Sequence, residues 1–354
     1  MTNKNDKAGK SNKSFDDAFD NISNDSESIS YVSKDSKDAI LIDQLSNTEL
    51  AQFFSRFGRD EGIVEPDDRG ELREVKNAVI IPIGFPATGK SMWLSSLFWY
   101  ASSAGGPFSV AGDLKDPIYS QGQARKKIME DTFANEGDLI GINIKGTLDI
   151  IGLNITPNKS KIPTLKLTLL DLAGEDISKI EKNNGKEFTN RIETVFNGLQ
   201  VNSSRVIFVL LTPFNPAKLS TDSKVSDSEG HNREDNLHLT FLQYLSQKQP
   251  NLYANSTIFM IVSQWDTNSN PNLRVEDYIK KNRPKVFSYI QNKDVIYGEY
   301  SIGRILTQSE LDGTVSQRIV HRDKVYPYKF WKEIYFQITG RDLDKKPWWQ
   351  RLFS

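Results

Sequence analysis

The sequence predicts an α/β fold with a doubly wound, mainly parallel sheet and one antiparallel edge strand. Three observations predict it. Short apolar segments rich in β-branched residues recur along the chain, helical patterns lie between most of them, and one neighbouring pair has no helix between its members. Strands that alternate with helices form mainly parallel sheets. The predicted strands are 75–83, 147–155, 165–171, 204–212, 256–263 and 294–301.

The segments 147–155 and 165–171 are the pair without an intervening helix, so we expect an antiparallel hairpin at one edge of the sheet. The helices predicted before the last one are 90–103, 117–134, 186–200, 232–247 and 274–291. The last helix, 328–340, carries Phe330, Trp331, Ile334, Tyr335 and Ile338 at helical spacing and ends at Gly340.

Four regions are expected along the chain. Residues 1–38 are mostly Ser, Asn, Asp and Lys, which is typical of a disordered tail. Residues 39–69 form a helical extension, 70–340 form the α/β domain, and 341–354 form an aromatic tail. The extension contains SNTELAQFFSRFG, with a capping Ser46 or Asn47, apolar Leu50, Phe53, Phe54 and Phe57, and a stop at Gly58. The polar stretch 217–235 is interpreted as a surface insertion.

Composition restricts the function classes. The 354 residues include 45 basic and 46 acidic side chains, so no net field attracts nucleic acid or anionic membrane. The lack of cysteine excludes disulfides, thiolate zinc sites and a cysteine nucleophile. No apolar run approaches the roughly 18 residues of a membrane span, and the first residues lack the apolar core of a signal peptide. We therefore expect a cytoplasmic protein without a transmembrane segment.

A complete phosphate-binding loop motif follows the first predicted strand. Gly84, Phe85, Pro86, Ala87, Thr88, Gly89, Lys90 and Ser91 fit G-x-x-x-x-G-K-[ST] between an apolar strand and a helix. Glycines allow successive N–H groups to point at phosphate oxygens, the lysine adds a charge at the β- and γ-phosphates, and the serine hydroxyl ligates Mg²⁺. The motif predicts a P-loop NTPase with Mg²⁺ as cofactor.

Two further motifs follow apolar strands. The segment LKLTLLDLAGED ends a strand at Asp171, with Gly174 three residues later; the carboxylate suits the Mg²⁺ shell and the glycine N–H suits a γ-phosphate. The segment STIFMIVSQWDTN places Asp266 after another strand. Its carboxylate can accept two hydrogen bonds from guanine, whereas the alternative is a helix-capping aspartate.

The order G-x-x-x-x-G-K-S, D-x-x-G and S-Q-x-D resembles the Ras-like P-loop GTPases of the translation-factor-related class. The spread of motifs over 75–303, the D-L-A-G-E form and the insertion before EDNLHLTFLQYLSQ most resemble bacterial double-GTPase domain proteins, which often occur in conflict or defence gene clusters. The resemblance covers about two thirds of the chain and makes 70–340 a GTPase domain.

The resemblance implies roles for individual residues. It makes Lys90 and Ser91 phosphate and Mg²⁺ ligands, Asp171 part of the Mg²⁺ shell, Gly174 a γ-phosphate contact and Asp266 the base contact. Ser301, in the segment 300–303, occupies the position of the fifth motif behind guanine. Thr147 is preferred to Thr132 as the switch threonine that ligates Mg²⁺.

Three positions depart from the family pattern. Gln264 replaces the usual lysine beside the base, which implies modest guanine affinity, and Trp265 either stacks on the base or belongs to the core. Glu175 stands where many members have a water-orienting glutamine, and Pro86 where glycine is common. No arginine finger is assigned within the chain, so we expect slow hydrolysis, with Lys90, Glu175 and Thr147 as the catalytic set.

The expected function is a GTP-dependent molecular switch. An ATP-dependent ATPase or kinase and a nucleotide-holding pseudo-GTPase scaffold remain alternatives. The expected partners are guanine nucleotide and an effector or activator protein, or a second copy of the chain, bound through the aromatic tail, with no nucleic acid. Packing of the aromatic tail on its own domain or on a membrane surface remains an alternative. The remaining polar candidates are interpreted as structural: His231, His238, His321, the charge run 233–236 as a solvated helix start, and the cluster Lys280, Lys281, Arg283 and Lys285 as a polar helix face.

Overall fold

Across the part of the chain that the computed structural model describes, eight strands form one sheet. The structure describes residues 45–56, 63–66, 70, 72–85, 88–103, 108–113, 116–134, 148–158, 162–172, 190–200, 205–216, 226–309 and 315–344. The predicted tail 1–38 and most of the aromatic tail lie outside the described residues, as do Phe57, Gly58, Pro86, Ala87, Thr147, Gly174 and Glu175.

The sheet has the strand order β3-β4-β5-β2-β6-β7-β8, and β1 pairs with the start of β2. The strands are β1 (Val64–Pro66), β2 (Leu72–Ile83), β3 (Phe108–Gly112), β4 (Leu148–Pro157), β5 (Thr164–Leu172), β6 (Val206–Pro213), β7 (Thr257–Ser263) and β8 (Val295–Glu299). All six predicted strands are present.

Five strands, β5, β2, β6, β7 and β8, are mutually parallel. The hairpin of β4 and β5 is antiparallel, so the predicted fold class is confirmed. A short strand, β3, pairs antiparallel outside β4 and forms the edge. Its five residues, FSVAG, are too few and too mixed to give a strand pattern in the sequence.

Helices cover both faces of the sheet. They are α1 (Asn47–Phe54), α2 (Lys90–Ser102), α3 (Ser120–Ala134), α4 (Asn190–Gln200), α5 (Asp227–Lys248), α6 (Pro250–Asn255), α7 (Val275–Asn282), α8 (Pro284–Tyr289) and α9 (Val325–Thr339). The predicted helix 274–291 is broken into α7 and α8 because Pro284 lacks an N–H group and restricts Arg283 before it. Within the described part of the chain, no helix is long and apolar enough to cross a membrane.

Strand β2 separates two hydrophobic clusters by alternating its side chains. Val79, Ile81 and Ile83 face the cluster that holds α1 and α4 to α8, whereas Ala78 and Ile80 face the cluster that holds α2, α3 and α9. Successive side chains of a strand point to opposite faces, so one strand supports both layers. The structure is therefore a three-layer α/β arrangement.

Helix α1 docks on α4 at a glycine. Ser46 and Glu49 form a capping box at its start, and Leu50, Phe53 and Phe54 are buried as predicted. A Cβ atom at Gly198 of α4 would lie 2.8 Å from the carbonyl oxygen of Ala51. The two helices can approach this closely because position 198 has no side chain.

A separate antiparallel hairpin, β9 (Gly303–Ser309) and β10 (Val315–Arg322), lies between β8 and α9 and was not predicted. Among the residues that the structure describes, its strands make no pairing with the main sheet. Arg322 donates to the carbonyl oxygens of Phe133 and Ala134, at 2.6 and 2.9 Å, at the end of α3. The hairpin therefore connects the region after β8 to α3.

The structure of helix α9 confirms the prediction made from its sequence pattern. The five residues predicted to share its apolar face are all buried, and Gly340 ends the helix with a φ of 66°. Beyond it, Leu343 is buried in the same cluster as α9, and the ammonium of Lys332 lies 3.4 Å from Asp342 and 2.5 Å from Asp344. Residues 341–344 therefore fold back on the domain.

Candidate functional site

The three sequence motifs lie at the carboxyl ends of the parallel strands. Strands β2, β5, β6 and β7 are parallel neighbours, so their carboxyl ends meet there. The chain leaves β2 toward β5 on one side and later reaches β6 on the other, which makes the end of β2 the point where the strand order reverses. Open parallel sheets bind ligands at such points.

The glycine positions of the loop after β2 each have a steric reason. A Cβ atom at Gly84 would lie 2.7 Å from Oγ1 of Thr88 and 3.1 Å from the carbonyl oxygen of Leu211. Gly89, the residue before α2, has a φ of 84°, which side chains disfavour. Thr88 donates its hydroxyl to the carbonyl oxygen of Phe85 at 2.9 Å. The loop is thus held in a tight curve against β6, with the start of α2 behind it.

Lys90 and Asp171 bring the first two motifs into contact. The Lys90 ammonium lies 3.6 Å from Oδ1 of Asp171 and donates to the carbonyl oxygen of Leu172. The lysine is 4% exposed and the aspartate 6%, and Ser91 is also nearly buried, at 9%. Lys90 and Asp171 are 81 residues apart in the sequence, and the parallel pairing of β2 with β5 brings them together.

The buried carboxylate of Asp171 fits a cation. Its Oδ1 atom accepts no hydrogen bond from any described residue. A buried carboxylate oxygen without a donor is costly unless a charge or ligand compensates it. Together with the hydroxyl of Ser91, it supplies the hard oxygen ligands that Mg²⁺ prefers.

The third motif is connected to the phosphate-binding loop through Ser263. Its hydroxyl donates to the carbonyl oxygen of Thr88 at 3.1 Å. Gln264 follows with a φ of 58°, the left-handed conformation, and a short 3₁₀ helix covers Trp265–Thr267. This turn directs Asp266 into solvent, where it is exposed. This hydrogen bond connects the two motif loops.

The segment after β8 completes this side of the site. The N–H group of Trp265 donates to the carbonyl oxygen of Tyr300 at 3.1 Å, so the two loops are paired. Ser301 is 2% exposed and accepts from the N–H of Gly303 at 3.1 Å. Asp266 and Ser301 thus belong to two loops that support each other beside the carboxyl end of β7.

Trp265 belongs to the core. Its ring packs edge-on against Phe214 and Tyr278, with ring centroids 5.5 and 6.0 Å away, and the residue is 8% exposed. Of the two sequence interpretations, core packing is the one observed. The alternative switch residue Thr132 lies in the last turn of α3 and is half-buried.

Three polar interpretations from the sequence are wrong. Asp227–Lys248 is one helix, so residues 227–235 of the predicted insertion 217–235 are helical. Within the charge run 233–236, which was expected to be solvated, Glu234 and Asp235 are buried. The carboxylate of Asp235 accepts from the N–H groups of Lys285 and Val286 at 3.0 and 2.9 Å. These contacts cap α8, because the first N–H groups of a helix need acceptors.

The third wrong interpretation concerns Arg283, which is fully buried rather than part of a polar helix face. Its guanidinium donates to Oγ1 of Thr212 at 3.1 Å and contacts Nδ1 of His231 at 2.6 Å. Burial lowers the pKa of Arg283, while Glu234 and Asp235 raise it. Pro284 was the signal in the sequence that the helix breaks at Arg283, so that this residue does not share a face with Lys280 and Lys281.

His238 is a buried neutral imidazole beneath the phosphate-binding loop. Burial, and then the charge of Arg283, lowers its pKa to about 3, while backbone contacts with Ile83 and Leu211 act in the opposite direction. Neither ring nitrogen makes a hydrogen bond of ordinary geometry with a described residue. The helix α5 thus presents a ring without charge to the end of β2.

Comparisons with known proteins give no sequence match and a distant structural one. No protein-family model matches the chain, and no curated protein sequence matches it. The chain is similar to the crystal structure of a "putative nucleolar GTP-binding protein 1" from Plasmodium falciparum. The two share 12% sequence identity, the match covers 64% of this chain and 77% of that chain, and the TM-score is 0.29. A similarity of this size does not establish function.

Proposed function

We propose that the chain is a GTP-binding P-loop protein that requires Mg²⁺, hydrolyses GTP slowly and acts as a nucleotide-dependent switch. The contact of Lys90 with Asp171 carries this proposal. It brings the lysine of the phosphate-binding loop and the carboxylate of the second motif together, nearly buried, where the strand order reverses.

The contacts proposed to the phosphates follow from the geometry of the phosphate-binding loop. The N–H groups of the loop and of the α2 N-terminus bind the phosphate oxygens, since both present partial positive charge. Lys90 exchanges the carbonyl oxygen of Leu172 for a phosphate oxygen when nucleotide binds. Ser91 and Asp171 would hold Mg²⁺, which neutralises phosphate charge when it is bound.

The base side depends on Asp266 and Ser301. The exposed carboxylate of Asp266 accepts two hydrogen bonds from the N–H edge of guanine, an edge that adenine lacks. Ser301 backs the base from the neighbouring loop. Gln264 lacks the alkyl-ammonium stem of the usual lysine, so we expect modest affinity.

The hydrolytic and switch roles rest on the resemblance to GTPases. Thr147 and Gly174 are proposed to contact Mg²⁺ and the γ-phosphate in the triphosphate state, and Glu175 to orient water. A glutamate adds negative charge beside a triphosphate, so turnover is slow. The same resemblance supports a role in a bacterial conflict or defence system, with an effector or activator protein as partner.

Calorimetry with GTP, GDP and ATP, each with and without Mg²⁺, tests the proposal on wild type, Asp266→Ala and Asp277→Ala. Asp277 is an exposed carboxylate on α7 and serves as the matched control. We expect GTP and GDP to bind much more tightly than ATP, and Asp266→Ala alone to remove the difference. Equal affinities for GTP and ATP in wild type favour an ATPase or kinase. Tight GTP binding without hydrolysis favours a scaffold.

A further inference from the structure

A cation from α5 lies on the phosphate-binding loop. The guanidinium carbon of Arg233 is 4.5 Å from the ring centroid of Phe85, the second residue of the loop. Phe85 is 6% exposed, whereas Arg233 is exposed. A cation over an aromatic face is attracted by the ring, and the contact consumes none of the five N–H donors of an arginine. Arg233 is thus held at the loop with its donors available.

The backbone that carries Arg233 is fixed. The next two residues, Glu234 and Asp235, are buried, and Asp235 caps α8 through two backbone N–H groups. Two residues earlier, His231 contacts the buried guanidinium of Arg283. These contacts hold the start of α5, and with it the backbone at Arg233, against the start of α8.

The charge of Arg233 is not used in an ion pair with any described residue. Within the described ranges, no carboxylate lies within ion-pair distance of it, whereas Lys90 is already balanced by Asp171. A bound triphosphate adds several negative charges at this loop. An exposed guanidinium beside the loop is complementary to them, because arginine binds phosphate oxygens in a planar, two-pronged manner.

We propose that Arg233 is a catalytic residue that contacts the γ-phosphate, or the β–γ bridging oxygen, as GTP is cleaved. The inference rests on the proposed function. In the step, the water oxygen forms a bond to the γ-phosphorus while the bond from that phosphorus to the bridging oxygen breaks. The bonding pair stays on the β-phosphate of GDP, and the water proton passes to inorganic phosphate. Arg233 stabilises the negative charge that develops on the bridging oxygen.

The test compares wild type with Arg233→Ala, Arg233→Lys and the control Arg274→Ala. Arg274 is also exposed, but its guanidinium is paired with Glu276 at 2.8 Å on α7. Single-turnover hydrolysis at saturating GTP gives the rate of the chemical step. Affinity for GDP alone, and for GDP with aluminium fluoride, which mimics the transferring phosphoryl group, separates transition-state from ground-state contacts. Melting temperatures report folding.

We expect Arg233→Ala to lower the single-turnover rate about 100-fold or more, the size seen when one transition-state donor is removed. It should weaken aluminium fluoride binding similarly and leave GDP affinity within about twofold, with Arg233→Lys intermediate. Arg274→Ala should match wild type throughout.

Unchanged rate and unchanged aluminium fluoride affinity in folded Arg233→Ala overturn the inference while GTP binding by wild type preserves the proposed function. An equal loss of GDP affinity also overturns it, because that result assigns Arg233 to ground-state binding. If wild type binds no GTP, both ideas fail together.

Discussion

The ammonium of Lys90 lies 3.6 Å from Oδ1 of Asp171, and both residues are almost completely buried. Each charge therefore depends on the other when no nucleotide is bound. Removing one partner of a buried ion pair leaves an uncompensated charge, which costs about 3 to 5 kcal/mol.

We expect Lys90→Met to lower the free energy of unfolding by about 3 kcal/mol and to abolish nucleotide binding. The double variant Lys90→Met with Asp171→Asn should recover much of the stability but none of the binding, because no buried charge then remains. Urea unfolding measures the cycle, with Lys281→Met at an exposed position as control. Additive losses in the double variant would contradict the pairing.

Gln264 offers a gain-of-affinity test. Its left-handed backbone, with a φ of 58°, is no worse for lysine than for glutamine, so Gln264→Lys should fold normally. The added stem should pack along the base and tighten GDP binding several-fold, measured by calorimetry. Gln264→Gly relaxes the backbone without adding the stem and should give no such gain. A similar gain in both variants would assign the effect to the backbone.

The burial of Arg283 predicts a large effect on stability. Arg283→Met removes the donors to Thr212 and leaves the buried carboxylates of Glu234 and Asp235 without this cation. We expect a loss of about 3 kcal/mol by urea unfolding. Arg274→Met, which breaks an exposed pair, should cost less than about 1 kcal/mol. Comparable losses in the two variants would show that burial of Arg283 is energetically unimportant.

His238 predicts a pH dependence. Its pKa is about 3 in the folded chain and 6.5 in the reference state, so below pH 6.5 the unfolded chain binds a proton that the folded chain does not. The stabilisation is present above pH 6.5 and is lost as pH falls toward 3. It amounts to about 2 kcal/mol between pH 7 and pH 5.

Replacing His238 by leucine should flatten the stability profile over that interval relative to wild type, measured by urea unfolding at each pH. His321→Gln, at an exposed histidine, should leave the profile as it is. A wild-type slope in His238→Leu would show that carboxylates alone cause the dependence.

The main sheet could be predicted from the sequence because its central strands are long apolar runs. Strands β1, β3, β9 and β10 could not, since β1 has three residues, β3 mixes apolar residues with Ser, Ala and Gly, and β9 and β10 carry many polar residues. The loop from Gly84 to Ser91 was recognisable because its chemistry demands fixed spacing. The burial of Arg283 was not, because it depends on Thr212 and His231, which are distant in sequence and meet through the packing of α5.

The candidate site shows the same division. The spacing of the motifs was enough to predict Lys90, Asp171 and Asp266 as site residues. The contact of Lys90 with Asp171 was not predictable in this way, because it depends on the pairing of β2 with β5. Arg233 was part of a charge run that the sequence assigned to solvent. Its position over Phe85 follows from the early start of α5, at Asp227, which the polar composition of that segment concealed.

The close docking of α1 at Gly198 can be followed by measuring a distance across the domain. Leu45, before α1, packs in the cluster on one face of the sheet, and Leu343, after α9, packs in the cluster on the other. Fluorophores attached near these two positions therefore lie on opposite sides of the sheet. Energy transfer between them reports on the spacing of the layers. Adding one methyl group, Gly198→Ala, should lengthen that distance while the sheet stays in place.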